Sequence, residues 1–204
     1  LSRIPLANKI LTERAIKISK RNINNIENYL KKRDIKMVGP EDFDYISPEN
    51  YSHCNIWGSG TSAAISKKRS IILKNSFNIG IGFSYLLGID FNFYFIENAS
   101  NIQSELVRRQ KKGIERFLDL EKCPLVFKNI WEAKNNIDFA IEAYKDIAFF
   151  ARDFAIPHYF NKKEIYQNTT DLLLNHEGRY FKQACTTVLS SIIFANYLGF
   201  KKIV

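Results

Sequence analysis

Apolar and polar positions along the chain fall into alternating helical and strand-like blocks. Ile10, Ala15 and Ile18, then Ile23, Ile26, Tyr29 and Leu30, recur at roughly helical spacing with Lys and Arg between them, which predicts two helical stretches over residues 6–32. Residues 35–38 read as a short strand stopped by Gly39-Pro40, and residues 39–52, rich in Pro, Asp, Glu, Asn and Ser, read as a connecting loop. The texture then changes. Compact apolar runs at His53-Cys-Asn-Ile-Trp57, Phe77-Asn-Ile-Gly-Ile81, Phe91-Asn-Phe-Tyr-Phe-Ile96 and Pro124-Leu-Val-Phe127 predict four strands. Between them lie a helical stretch from about Ser62 and a helix over 102–118 whose apolar members are Leu106, Ile114, Phe117 and Leu118. Residues 131–175 read as mostly helical with a break at Ile156-Pro157, residues 179–197 as the last helix, and residues 201–204 as the start of a fifth strand. Strands alternating with helices predict an α/β domain with a mainly parallel sheet and helices on both faces. The expected organisation is a basic helical appendage over 1–38, a connector over 39–52 and the α/β domain over 53–204. Because Leu198-Gly-Phe-Lys-Lys-Ile-Val204 reads as a helix end, a glycine and a strand just beginning, the domain is expected to continue past Val204.

Composition narrows the class. A length of 204 residues accommodates one domain, with or without an appendage. The 16 Phe and 10 Tyr exclude a disordered chain. Cys54, Cys123 and Cys185 form no CxxC pair, which excludes a disulfide scaffold and reads as reduced, buried thiols in a reducing compartment. The longest apolar run, residues 188–200, is broken by Ser190, Ser191 and Asn196 and falls short of the ~18 residues that span a bilayer. A net charge of +9 calls for an anionic partner: nucleic acid, an acidic membrane or a phosphorylated small molecule.

Three segments carry candidate chemistry. The strand–Gly-x-Gly–helix unit at Gly58-Ser59-Gly60-Thr61-Ser62 lets a backbone turn tightly and approach a phosphate, with the following helix presenting N–H groups and the hydroxyls adding donors. It lacks the third glycine of the dinucleotide fingerprint and the Gly-Lys-Ser/Thr of a P-loop, so a plain structural turn competes with that reading. Glu97-Asn98-Ala99-Ser100 follows a strongly apolar strand, where α/β sheets hold their ligands; helix capping by Asn98 or Ser100 is the bland alternative. Thr186 and Thr187 open an apolar helix and can bond a ligand or back-bond within the helix. The basic runs Lys67-Lys68-Arg69 and Arg108-Arg109-Gln-Lys111-Lys112 read first as solvated helix faces. His53, His158 and His176 fit no zinc spacing; His53 reads as structural, and His176 in its polar loop is the one best placed to face a cleft. No nucleophile elbow or nucleic-acid motif is present.

In this order the segments resemble those of the bacterial sialyltransferases of glycosyltransferase family 42 and of the related motility-associated flagellin glycosyltransferases. Ile56-Trp-Gly-Ser-Gly-Thr-Ser62 resembles the family's opening Gly-x-Gly-Pro-Ser loop, and Phe95-Ile-Glu-Asn-Ala-Ser100 its strand end with Asn-Pro-Ser. Thr186-Thr187 followed by Leu198-Gly-Phe-Lys-Lys-Ile203 resembles Thr-Ser, an apolar helix and Leu-Gly-Tyr-Lys-Glu-Ile. The resemblance covers about residues 53–204 and implies a Rossmann-like nucleotide-sugar-binding domain. It implies a metal-independent transferase that takes a sialic-acid-like sugar from CMP to a glycan acceptor in surface polysaccharide or glycoconjugate synthesis, with no other cofactor. Gly58, Ser59 and Gly60 would approach the phosphate together with Thr61 and Ser62, Asn98 and Ser100 would contact the nucleotide, and Thr186 and Thr187 the cytosine or phosphate region. Thr61 replaces the family's Pro, Ser59 stands where Asn is common, and Gly82 falls near the family's second-strand Asn. The family's catalytic His and phosphate-holding Tyr residues lie beyond the fifth strand, so no catalytic residue is carried over.

The expected setting is cytoplasmic and peripheral to the inner membrane, with the net charge drawing in an anionic donor and docking on an anionic leaflet. Self-association is expected if apolar surface is exposed on a truncated sheet. The alternative is a non-catalytic nucleotide-binding or assembly module of a larger polysaccharide-synthesis protein. A nucleic-acid-binding domain ranks last, because no aromatic–basic interleaving resembles a stacking platform.

Overall fold

Six parallel strands make the central sheet: β1 (Met37–Val38), β2 (His53–Trp57), β3 (Ser76–Ile81), β4 (Phe93–Glu97), β5 (Leu125–Lys128) and β6 (Phe149–Ala151). They are seen in a computed structural model that describes residues 3–60, 63, 74–97, 104–128, 137–155, 178–183 and 187–204. The order across the sheet is β1-β6-β5-β4-β3-β2. Residues 202–204 run along the far side of β2, where the Val204 N–H donates to the Cys54 carbonyl at 2.8 Å and the Cys54 N–H to the Lys202 carbonyl at 2.9 Å. The start of a strand expected at 201–204 is therefore present as a parallel bridge between Cys54 and Ile203.

Side chains alternate between the two faces of each strand, and both faces are apolar, as a parallel sheet covered on both sides requires. In β4, Tyr94 and Ile96 enter one core while Phe93 and Phe95 enter the other. The first core receives Leu30 of α1 (Arg3–Lys31), Val107 and Ile114 of α2 (Ser104–Phe117), and Ala140, Ile141 and Tyr144 of α3 (Ile137–Tyr144). The second core receives Phe194, Ala195 and Leu198 from and beside α4 (Thr187–Tyr197). Right-handed crossovers account for this division. The chain adds β3, β4, β5 and β6 in one direction, which puts α2 and α3 on one face; it then returns to the far side of β2, which puts α4 on the other. Gly199, at φ +94, ends α4 where the sequence places a helix end.

Several expected elements differ. The two stretches expected over 6–32 form one helix, α1. Residues 39–52 form two 3-10 turns, η1 (Pro40–Phe43) and η2 (Pro48–Asn50), and cross the second face of the sheet from β1 to β2. Phe43 is buried there, 4.9 Å from the Phe93 ring and 6.1 Å from the Phe194 ring between centroids. Of the helical region expected over 131–175, α3 is present, and β6 and β7 (Asp153–Ala155), which follow it, are strands; residues 131–136 and 156–175, with the expected break at Ile156-Pro157, lie outside the described residues, as does all but Ala63 of the helical stretch expected from about Ser62. The expected start of the last helix is instead β8 (Phe181–Gln183), which pairs in parallel with β7 in a separate small sheet. These strands have three residues each, too short for a period-2 pattern to be told from one turn of helix. In α2 the buried stripe is Val107, Gln110 and Ile114, while Leu106 and Phe117 face outward.

Candidate functional site

All six strands point the same way, so their carboxyl ends share one edge of the sheet. In open α/β sheets ligands bind outside that edge, at the place where strand order changes direction. Here that place is β2, which has β3 on one side and residues 202–204 on the other. The segment leaving β2 at this point is Gly58-Ser59-Gly60, with Gly58 half-buried and Ser59 and Gly60 exposed. A Cβ built on Gly58 would meet no atom of the described residues within 4 Å, so among them the backbone here borders open space. The Gly60 carbonyl then accepts the Ala63 N–H at 3.0 Å, and Ala63 packs against the first core.

The loop after β3 lies against this one. Gly82 has φ +63, and a Cβ placed on it would sit 3.9 Å from the Ser59 hydroxyl oxygen. A buried polar network fixes Gly82 and the 3-10 turn that follows it, η3 (Ser84–Leu87). The Tyr94 hydroxyl donates to the Gly82 carbonyl at 2.9 Å and accepts from the Ser84 hydroxyl and the Tyr85 N–H, each at 3.1 Å. Ser84 Oγ in turn accepts the Ile81 N–H at 3.0 Å. Gln110 Nε2 also reaches the Gly82 carbonyl, at 3.4 Å, and Gln110 Oε1 accepts the Tyr144 hydroxyl at 2.8 Å. Burial pushes both the Tyr94 and Tyr144 phenols above their ordinary range, so both stay neutral donors.

The other side chains of β2 and β3 are committed elsewhere. Asn78, buried in mid-strand, accepts at Oδ1 from Asn55 Nδ2 at 3.1 Å, Trp57 Nε1 at 3.0 Å and Ser76 Oγ at 3.2 Å. Its own Nδ2 donates to the Asp90 carbonyl at 3.1 Å. This network ties β2 to β3 and leaves Gly82, with no side chain, at the strand end. His53 begins β2 at the opposite edge, buried, with Nδ1 2.7 Å from Ser52 Oγ. Cys54 and Cys123 are free, buried thiols that desolvation pushes up to about 12, which leaves neither as a nucleophile at neutral pH.

Of the residues singled out from the sequence, the structure brings Gly58, Ser59, Gly60 and Thr187 to one edge. α4 precedes a segment parallel to β2, so the helix runs back across the sheet and its first residue, Thr187, lies at the carboxyl edge. The Thr187 carbonyl accepts the Ser191 hydroxyl at 2.8 Å. Thr61, Ser62, Asn98, Ser100 and Thr186 lie outside the described residues, as do Cys185, His158, His176 and Lys67-Lys68-Arg69. Glu97, the residue before Asn98, ends β4 at this edge in register with Lys128 of β5.

Lys128 is a feature that sequence reasoning missed. Its side chain is 2% exposed and its Nζ lies 3.8 Å from Asp153 Oδ1, itself on a side chain 1% exposed. The ammonium also stands 5.4 Å from the Phe95 ring centroid. The available signal was a lysine closing an apolar strand; its partner lay in a segment read as helix. Among the described residues, no group of three or more His, Cys, Asp or Glu is gathered to hold a metal ion, and no helix is long and apolar enough to cross a membrane. No family model, curated protein or solved structure matches this chain.

Proposed function

We propose that the Gly58-Ser59-Gly60 loop receives the phosphate of a CMP-activated sugar, and that the protein is a glycosyltransferase passing a sialic-acid-like sugar to a glycan acceptor on the cytoplasmic side of a membrane. The observation that carries this reading is the position of the loop. It leaves β2 where strand order reverses, borders open space at Gly58 and faces a second glycine tip, Gly82, beside the Ser59 hydroxyl. The order of the short motifs and their likeness to the sialyltransferase family choose the nucleotide.

The chemistry asked of these residues is electrostatic. As the sugar–phosphate bond breaks, charge builds on the CMP leaving group, and donors already aimed at it lower the barrier. In this reading the backbone N–H groups of the loop and the hydroxyls of Ser59, Thr61 and Ser62 meet the phosphate. Asn98 and Ser100 hold the nucleotide, and Thr186 and Thr187 reach it from the start of α4. No base is assigned for the acceptor hydroxyl.

The test is a ligand scan by thermal shift and calorimetry. CMP is expected to stabilise the protein while NAD and ATP do not. Gly58→Ala is expected to abolish CMP binding by projecting a methyl group into the space the phosphate would occupy. Stabilisation by no nucleotide would favour the assembly-module reading instead.

A further inference from the structure

Positive charge is unevenly distributed along this chain. Residues 1–38 hold ten Lys and Arg against three Asp and Glu, whereas residues 39–204 hold twenty against eighteen. Seven of the nine net positive charges therefore belong to the segment that forms α1, the turn after it and β1. The basic run on α2 is partly neutralised from within, because Arg109 pairs with Glu105 at 3.0 Å and Lys111 with Glu115 at 3.8 Å. No such pairing holds the cations in the middle of α1. Arg14, Lys17, Lys20 and Arg21 are all exposed, and none has an ion-pair partner among the described residues.

The geometry of α1 sets these cations on one side. Ile23 and Leu30 are buried and Ile26 is half-buried, so the C-terminal half of the helix packs on the sheet. At about 100° per residue, Arg14, Lys17, Ile18 and Arg21 share an arc of roughly 100° centred opposite that packed stripe, with Lys20 at its flank. Ile18 is 39% exposed within the arc. We infer that this outward face of α1 docks the protein on an anionic lipid surface. Two observations favour lipid over nucleic acid. An exposed isoleucine amid the cations suits insertion at a headgroup boundary. In addition, no aromatic residue occurs from Arg3 to Asn28, so the helix lacks the aromatic platform of a single-strand-binding surface. The inference stands independently of the nucleotide reading, because it uses no residue of the Gly58 loop.

The test mixes the full chain with vesicles of phosphatidylcholine alone or with about 30 mol % phosphatidylserine, and measures co-sedimentation. The protein is expected to bind the anionic vesicles, to ignore the neutral ones, and to be released as salt rises from about 0.1 to 0.5 M. The variant R14Q/K17Q/K20Q/R21Q is expected to bind the anionic vesicles at least about tenfold more weakly, with an unchanged circular dichroism spectrum. Absence of binding to anionic vesicles, equal binding to both compositions, or a folded variant that binds like the parent would overturn the inference. So would tight, salt-sensitive binding to duplex DNA or RNA with none to vesicles. The wild-type comparison alone decides the matter should the variant fail to fold.

Discussion

Single glycines separate fold from function in this protein. Gly80 and Gly58 are both at the end of the β2–β3 pair, yet they answer to different constraints. A Cβ on Gly80 would lie 2.3 Å from the Tyr94 ring, and that ring is held by the hydroxyl bonds that fix Gly82 and Ser84. Gly80→Ala is therefore expected to destabilise the protein by about 2–3 kcal/mol, measured by urea unfolding, because a fully packed ring has nowhere to move. Gly58 faces open space, so Gly58→Ala should change stability by less than about 0.5 kcal/mol. Lys128 makes the same kind of distinction for charge. Removing one partner of a buried ion pair is costly, and Lys128→Met is expected to destabilise the protein by about 3–5 kcal/mol. A loss below about 1 kcal/mol in that measurement would show that Asp153 finds its charge balanced elsewhere.

At the scale of elements, the crossing segment 39–52 contributes more than a connection. Asp42 of η1 accepts the Gly39 N–H at 2.8 Å and the Lys36 ammonium at 2.9 Å, and lies 3.6 Å from the Arg152 guanidinium. Partial burial pushes its carboxyl up, but the Gly39 hydrogen bond, Lys36 and Arg152 together outweigh this and hold it below the usual carboxylate value. A carboxylate lowered in the folded state stabilises that state above its unfolded value of about 4, and the contribution is lost as pH falls through the lower folded value. Unfolding midpoints measured from about pH 6 down to pH 2 should therefore drop in the acid limb, and Asp42→Asn should flatten that drop. The long elements were legible in the sequence for a simple reason. Apolar runs such as Phe93–Glu97 are bounded by polar turns, and both faces of the sheet are covered, so the runs are continuous. The short elements were not. A three-residue strand such as Phe149–Ala151 carries too few positions to show a period. The face of α2 was misread because Gln110, a polar residue, occupies the middle of its buried stripe, satisfied by Tyr144 and the Gly82 carbonyl.

Across the whole molecule, the topology gathers what the sequence keeps apart. Gly58-Ser59-Gly60 was visible as a motif, but not that it would lie at the reversal of strand order, nor that Gly82 would come to rest beside Ser59. The first follows from the return of the chain to the far side of β2 after β6, the second from the parallel register that sets Trp57 opposite Gly80; both are long-range pairings that local patterning does not encode. The sign of the charge was equally plain from composition. The fold adds its location, since the cations of mid-α1 lie opposite the stripe of that helix that packs on the sheet. The most direct measurement is a calorimetric titration of CMP into the wild-type chain and into Gly58→Ala, with the thermal unfolding midpoint of each recorded alongside. Saturable CMP binding to the wild type, absent from an equally stable Gly58→Ala, is the predicted result. A wild type that binds no CMP, or a Gly58→Ala protein that binds it unchanged, would contradict the assignment of this loop to the nucleotide phosphate.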